Sequence, residues 1–472
     1  MLDQSFSAKN FEVIYNLENR KGNISLDIMP EEYRNAVSDY REAKNEYRIL
    51  EHLDKTLRGD SYDEELRAAR DKVEIQKKRK DEMLKKHLEQ IEKQVNSRAY
   101  RMNMSSFLMD GKEVFTLDDT LATFYTIKQL QYNIRKTFHV KQANRHAILS
   151  TIRTLLSSKI PLYVIRTDIS GFYESIPQEK LLPMVNDNTL LSYKSKAFIR
   201  VILQLFEAQK DTAKILPGCG VPRGVGISAY LSELYMRSID QSIKQREEVI
   251  FYARYVDDIF IICKSMPAGK ILSDYYADLQ QLFNQYNLTL KSAPDTKCQL
   301  IDLTPYNVPR TNFDFLGYNI SIGRDKNITT LEYDLSNDKQ RRMRERIDAI
   351  VTRFNNLACV DVRAAKRDLV DGLRLLTCNY TLFSMKSGVK VGLYYSNDLL
   401  TIMDGLRDMT MYLHSKVLSP EKNILCSPTD EKTHYLAHLS NKIQKVDLVK
   451  AWENKLMYPF KLERLKEMEE WL

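Results

Sequence analysis

Three aspartates carry the residue types and spacing that could do chemistry. Asp257 and Asp258 sit inside Phe251-Tyr-Ala-Arg-Tyr-Val-Asp-Asp-Ile-Phe-Ile-Ile-Cys263, and Asp168 ends the run Leu162-Tyr-Val-Ile-Arg-Thr-Asp168. Carboxylates beside strongly apolar runs are costly as charges unless a cation or a donor compensates them. An Asp-Asp pair alone is most often turn chemistry, because Asp bonds its own backbone and tolerates tight dihedrals. A third acid from a separate run changes the reading. Metal-assisted phosphoryl transfer uses two Mg²⁺ about 3.5–4 Å apart, held by carboxylates on separate elements. Asp168 and Asp257 could bridge such a pair, with Asp258 in support.

The elements that must position these acids are legible nearby. Val249–Tyr252 and Ile259–Ile262 are rich in β-branched and aromatic residues, so a hairpin is expected with the two acids in its turn. A β-rich run likewise delivers Asp168, after which Ser170-Gly171 turns the chain toward Phe172 and Tyr173. Between the acids, four glycines and two prolines fall within the ten residues from Pro217 to Gly226, which reads as a loop. A helix is expected from about Ser228, through Leu231, Leu234 and Tyr235. A Gly-rich loop running into a helix lets backbone approach a ligand, and Arg223 within it can donate to a phosphate or base.

Upstream, Phe107 to Leu156 interleaves basic and aromatic residues, among them Tyr125, Tyr132, Arg135, Lys136, Phe138 and His139. That mixture suits holding phosphates and stacking on bases. Lys141 and Arg145 are spaced to share one helical face.

The chain has 472 residues and 55.2 kDa, 43% hydrophobic and 28% charged, which implies a folded protein of two to four domains. A net charge of +8 and a pI near 8.9 are compatible with a polyanion partner but do not establish one. The six cysteines, at 219, 263, 298, 359, 378 and 426, form no C-x-x-C spacing, which fits a reducing cytoplasm. Cys426, His434 and His438 offer only one sulfur, so surface histidines are expected there rather than a zinc site. No signal-peptide pattern or membrane-length apolar run occurs, so no membrane association is expected.

Residues 31–57 and 62–97 read as a charged helical hairpin interrupted at Arg58-Gly-Asp-Ser-Tyr-Asp63. Leu66, Val73, Leu84, Leu88, Ile91 and Val95 form a sparse apolar stripe on its second helix, expected to pack on the protein's own body. Lys77-Lys-Arg-Lys80 within it could guide a nucleic-acid backbone. Near the other end, a β run from Ile328 to Tyr333 leads to a basic amphipathic helix through Phe354, where Arg341, Arg342, Arg344 and Arg346 could follow a duplex. Leu399, Leu400, Met403, Leu406, Met409 and Leu413 fall at helical spacing and read as core.

Asp168-x4-Tyr173, Gly220-Val-Pro-Arg-Gly224, Tyr255-Val-Asp-Asp258, Leu288-Thr-Leu-Lys291 with Lys297, and Phe315-Leu-Gly-Tyr318 stand in the order and rough spacing of motifs A to E of reverse transcriptases. The chain resembles that family from about residue 130 to 350. Arg166-Thr-Asp-Ile169, Gly226-Ile-Ser-Ala-Tyr-Leu-Ser-Glu233 and Leu393-Tyr-Tyr-Ser-Asn397 bring it nearest the prokaryotic defence-associated and abortive-infection group.

The resemblance implies an α+β right-hand polymerase with fingers, an RRM-like antiparallel palm and a thumb. The implied limits are an N-terminal extension with a helical hairpin at 1–100, fingers at 101–165, palm at 166–320, thumb at 321–400 and a helical region at 401–472. It implies that Asp168, Asp257, Asp258 and the backbone carbonyl of Ile169 hold two Mg²⁺, with Mn²⁺ as a substitute. Tyr173 takes the steric-gate position, where a ring would clash with a 2′-OH and favour dNTPs. Arg223, Gly224, Lys141, Arg145 and Lys297 fall to substrate binding, with Lys297 reaching the leaving phosphates. Phe315, Leu316, Gly317 and Tyr318, with Tyr255, fall to the primer grip.

The implied activity is RNA-templated DNA synthesis in antiphage defence. Its partners would be an RNA template, such as a dedicated non-coding RNA, the DNA product, and a second polymerase subunit or another copy of the chain. Primers of RNA, DNA or a protein tyrosine all fit. An RNA-dependent RNA polymerase and a nucleic-acid-binding scaffold with an inactive palm are the alternatives. Arg223 stands where many intron and retroviral members have Gln, and no C-x-x-C, His-Asn-His or Val-Thr-Gly signature occurs.

Overall fold

A computed structural model describes residues 3–21, 23–52, 61–109, 111–157, 160–326, 328–358, 360–382, 388–418 and 443–472. The chain divides into two units: Met1–Gln142 with Gly171–Arg237, and Ala143–Ser170 with Ser238–Leu472. In chain order come helices α1 (Ala8–Arg20), α2 (Glu31–Glu51) and α3 (Tyr62–Asn96), strands β1 (Met104–Met109) and β2 (Lys112–Leu117), and helices α4 (Leu121–Phe138) and α5 (Arg145–Leu156). Strand β3 (Tyr163–Ser170) leads to α6 (Phe172–Ser175), α7 (Gln178–Asn186), α8 (Tyr193–Gln209) and α9 (Ser228–Lys244). Next are β4 (Val249–Tyr255), β5 (Asp258–Cys263), α10 (Leu272–Gln285), β6 (Thr289–Leu290) and β7 (Gln299–Asp302). After β8 (Val308–Phe315), β9 (Tyr318–Asp325) and β10 (Ile328–Leu335) stand α11 (Asn337–Ala358), α12 (Val362–Thr377), β11 (Asn379–Leu382), β12 (Val389–Gly392) and α13 (Asp404–Leu418). Two short helices, Leu448–Asn454 and Leu462–Glu469, follow.

In the first unit the expected helical hairpin is α2 and α3. Leu84, Leu88, Ile91 and Val95 of its stripe are buried, and α3 packs on α1, α2 and α4. The β1–β2 hairpin has no counterpart among the sequence expectations. Phe107, Leu108 and Met109 are exposed, and the only buried residues of the two strands are Met104 and Phe115, so no period-2 pattern marks them.

Lys141 and Arg145 do not share a helix. His139 takes a left-handed conformation (φ 54°) that ends α4, and Asn144 caps α5 by accepting from the Ala147 amide at 3.1 Å. Asn144 is extended (φ −93°), as capping residues are, and His is among the non-glycine residues that enter the left-handed region most readily. Lys141 belongs to the first unit and Arg145 to the second.

The second unit is built on an antiparallel sheet of order β4-β5-β3-β6, with β7 also pairing β3. Strand β5 is buried from Ile259 to Cys263, and β3 from Val164 to Ile169, so this sheet is covered on both faces. Phe260 and Ile262 pack with Phe313, Phe315, Tyr318 and Ile320 of a second sheet, β10-β9-β8, and with Ile148, Leu149 and Ile152 of α5. A separate core joins Ile347, Ile350 and Phe354 of α11 to Leu369 and Leu373 of α12 and Leu413 of α13.

The residues at 399–413 are core as expected, but only the last part is helical. Leu399 to Met403 lie in turns ahead of α13, and Leu399 and Leu400 are buried by packing on the sheet rather than by helical periodicity. The β11–β12 pair also has no counterpart among the sequence expectations. Cys426, His434, His438 and the Arg58–Asp60 interruption lie outside the described residues. Among the described residues no helix is long and apolar enough to cross a membrane.

Candidate active site

The hairpin that carries the acids is tight. Tyr255 pairs with Asp258 across a turn of Val256 and Asp257, and Val256 sits at φ 59°. A β-branched residue in the left-handed region is strained, and strain of this kind persists only where surrounding structure enforces it. Here the sheet enforces it. Asp168 and Asp258 are register partners across β3 and β5, and the Ile169 amide donates to the Asp257 carbonyl at 3.0 Å. One carboxylate oxygen from each of Asp168, Asp257 and Asp258 lies within 4.8 Å of the others.

Cations balance the acids. Asp168 is 3% exposed, with Lys297 Nζ 2.9 Å from its Oδ1 and Lys291 Nζ 3.6 Å from its Oδ2. Arg166, two residues earlier on the same strand face, reaches Asp258 Oδ1 with Nη2 at 3.1 Å. Its Nε and Nη1 are buried with no hydrogen-bond partner among the described residues. Burial pushes the Asp258 carboxyl up to about 6; Arg166 and Lys297 oppose that, and Asp257 and Asp168 add to it. Burial opposes the Lys297 charge most strongly, but its hydrogen bond to Asp168 and the charges of Asp168, Asp258 and Asp257 together outweigh this and hold the ammonium above its ordinary value. Three clustered carboxylates, one of them buried, form a donor set that fits a hard divalent cation.

Beside the acids lies a cavity of about 940 Å³, lined by Arg145, Tyr255, Asp258, Lys297, Gly317 and Lys339 among others. The Phe315-Leu-Gly-Tyr318 segment forms a hairpin with Leu316 (φ 45°) and Gly317 (φ 78°) as its turn. Two consecutive positive φ values match the twist that a two-residue hairpin requires. Phe315 and Tyr318 are both 1% exposed and belong to the core; Phe315, Leu316 and Gly317 line the cavity. A Cβ on Gly317 would come within 2.8 Å of Lys339 Cε. Arg145 donates from Nε to the Leu316 carbonyl at 2.7 Å, and Arg145 and Lys339 sit 5.2 Å and 4.7 Å from the Tyr318 ring centroid. Arg145 therefore braces the Phe315–Tyr318 hairpin. Lys339, which the sequence did not single out, lowers its charge in this setting: burial, then Arg145, pushes its pKa down to about 7.

Tyr173, Arg223 and Gly224 belong to the first unit. Arg223 makes a two-pronged bond to Glu174, Nε to Oε1 at 3.0 Å and Nη2 to Oε2 at 3.1 Å, and its guanidinium carbon is 5.0 Å from the Tyr173 ring centroid. Gly224 (φ 98°) meets the chain's own strand: a Cβ there would lie 2.6 Å from the Phe115 carbonyl oxygen. The close approach permitted by this glycine thus serves β2 packing. Lys141 is exposed, and its helix-sharing with Arg145 is absent.

Arg166, Glu174 and Lys339 are the site residues that sequence reading passed over. The first had a usable signal, since i and i+2 of a strand share a face. The others meet their partners only through the fold.

A search of curated protein sequences gave no match. Among solved structures, the apo telomerase of Candida tropicalis aligns at 13% identity and TM-score 0.36, covering 96% of this chain and 86% of that one. The telomerase of Candida albicans in complex with a TWJ fragment of telomeric RNA aligns at 12% identity and TM-score 0.31, covering 73% of this chain. The present chain spans 56% of that telomerase. Residues 78–320, about half of the chain, match the family described as reverse transcriptase (RNA-dependent DNA polymerase). With its acids clustered as that chemistry needs, the chain belongs to the reverse transcriptase family.

Proposed function

We propose that this protein is an RNA-templated DNA polymerase that uses two Mg²⁺, with Mn²⁺ as a substitute, and acts in antiphage defence. The observation that carries the polymerase reading is the convergence of Asp168, Asp257 and Asp258 within the family-matched segment. When bound, the divalent ions supply Lewis-acid stabilisation of the attacking and leaving oxygens. Asp168, Asp257 and Asp258 would hold them, with the Ile169 carbonyl as a further ligand. Lys297, released from Asp168, would meet the leaving phosphates. The Leu316-Gly317 turn, braced by Arg145, would support the primer end with Tyr255, and Tyr173 would exclude the 2′-OH. Lys141, Arg223 and Gly224 would line the nucleotide's approach.

In this reading the fingers, palm and thumb follow the limits stated from the sequence. The template is an RNA, and a dedicated non-coding RNA, a second subunit or another copy of the chain are its candidate partners in the cytoplasm. The defence role is supported by the Arg166-Thr-Asp-Ile169, Gly226–Glu233 and Leu393–Asn397 strings.

The test is incorporation of labelled nucleotide on a primed RNA by purified protein with Mg²⁺. Asp257→Asn should lower incorporation by at least about 10³-fold, in keeping with loss of a metal ligand. Unchanged incorporation in that variant would remove the active-site reading. Incorporation of NTPs in preference to dNTPs would favour an RNA polymerase. For the defence role, phage plating on cells expressing the wild type should fall relative to cells expressing Asp257→Asn.

A further inference from the structure

Tyr173 is the residue on which sugar selection rests in the reading above, and a wall selects only as well as it stays in place. Its backbone is tied: the Val221 amide donates to the Tyr173 carbonyl at 2.8 Å. Its ring lies 5.5 Å from that of Phe172 on one-turn helix α6, with Arg223 at 5.0 Å from its centroid. A guanidinium at that distance attracts the ring face, and it holds the ring in one place to the extent that it is itself held. Glu174 does this. The two-pronged contact aligns the guanidinium with the carboxylate, a geometry with more directional specificity than a single charge pair.

The loop that supplies Arg223 is anchored in turn. Lys210, whose side chain is fully buried, donates to the Leu216 carbonyl at 2.7 Å and the Cys219 carbonyl at 2.8 Å, and Gln178 donates to the Gly220 carbonyl at 2.9 Å. Beyond Arg223, its carbonyl accepts from the Phe115 amide at 2.7 Å. The guanidinium is thus carried by backbone fixed on both sides.

We infer that Glu174 and Arg223 form a clamp on the Tyr173 ring and are positioning residues that set how strictly this protein rejects ribonucleotides. The inference deepens the sugar-gate reading of Tyr173 and rests on it. With the clamp intact the ring cannot swing aside, so a 2′-OH meets a rigid wall. With Glu174 neutralised, the guanidinium loses its fixed plane and the ring yields, which admits the larger sugar with little change for the smaller one. A salt bridge that only stiffened the loop would change both substrates alike.

The experiment measures kcat/KM for dGTP and for GTP on poly(rC) primed with oligo(dG) in Mg²⁺, for the wild type, Tyr173→Ala, Glu174→Gln, Arg223→Lys and the combination of Glu174→Gln with Tyr173→Ala. Arg223→Lys keeps the cation and loses the fork, so it tests the clamp even if Glu174→Gln folds poorly. Glu174→Gln should lower the dGTP-to-GTP ratio by about fivefold to tenfold, mainly by raising GTP use, and Arg223→Lys should lower the same ratio by a similar factor whatever it does to dGTP use itself. In the Tyr173→Ala background, Glu174→Gln should add no further loss of selectivity. The clamp is overturned if both single variants keep the wild-type ratio while Tyr173→Ala lowers it, or if Glu174→Gln lowers the ratio equally without the ring. If Tyr173→Ala itself leaves the ratio unchanged, the gate reading falls and the clamp falls with it.

Discussion

Lys339 shows how one residue's surroundings decide its charge. Its ammonium contacts the Ser396 carbonyl at 3.1 Å and the Asn397 side chain, no carboxylate among the described residues pairs with it, Asp398 acts on it only through space, and Arg145 lies close. Burial, then Arg145, brings its pKa from 10.5 to about 7 in the folded protein. The sign follows from proton counting. Between pH 7 and 10.5 the unfolded chain binds a proton that the folded chain does not, so this group makes unfolding free energy rise with pH across that window. The wild type should therefore gain stability relative to Lys339→Met as pH is raised from 7 to 9 in denaturant titrations. A difference that stays flat would show that Lys339 is charged throughout.

At the scale of the element, the two tight hairpins share a device. Each carries a non-glycine residue in the left-handed region at its turn, Val256 in one and Leu316 in the other, and each is held by its own hairpin ladder with one further strand, β3 beside β5 in one and β10 beside β9 in the other. The Gly-rich loop works differently, because its third glycine, Gly224, is needed for packing within the chain. Gly224→Ala combines strain at φ 98° with a 2.6 Å approach to the Phe115 carbonyl. It should destabilise the protein by about 2–4 kcal/mol, read as a lower midpoint in urea unfolding. Stability equal to the wild type would mean that the β2 hairpin moves freely from the loop.

Across the second unit as a whole, a charged cluster ties the C-terminal helix to α12. Asp368 is 1% exposed and accepts from Arg353 Nε at 3.0 Å and Arg464 Nη2 at 2.7 Å, while Arg464 Nε reaches Asp371 at 2.8 Å. Burial works against ionisation of Asp368, but the bonds from Arg464 and Arg353 outweigh it and keep the carboxyl below its ordinary value. Removing one partner from a buried ion pair leaves the other uncompensated. Because Arg464 keeps Asp371 and Glu467 and Arg353 is 40% exposed, Asp368→Leu should cost about 1–3 kcal/mol in thermal or denaturant unfolding. Loss of well under 1 kcal/mol would show that this cluster behaves as a surface pair.

Local sequence determined the strands that carry Asp168, Asp257 and Asp258, the α2–α3 hairpin and the start of α9, because each has strong periodicity or punctuation within a few residues. Family motifs pointed to the roles proposed for Tyr173 and for the Phe315–Tyr318 turn. Other features depend on contacts between distant segments, and only the tertiary structure decided them. The β1–β2 hairpin has almost no buried face of its own, and Arg145 left the company of Lys141 because His139 ends one helix and Asn144 begins another. Arg223 found Glu174, 49 residues away, and Asp168 found Lys297, 129 residues away. A carboxylate's charge is a local fact of composition, whereas its counter-ion is chosen by whatever the folded chain brings within about 4 Å.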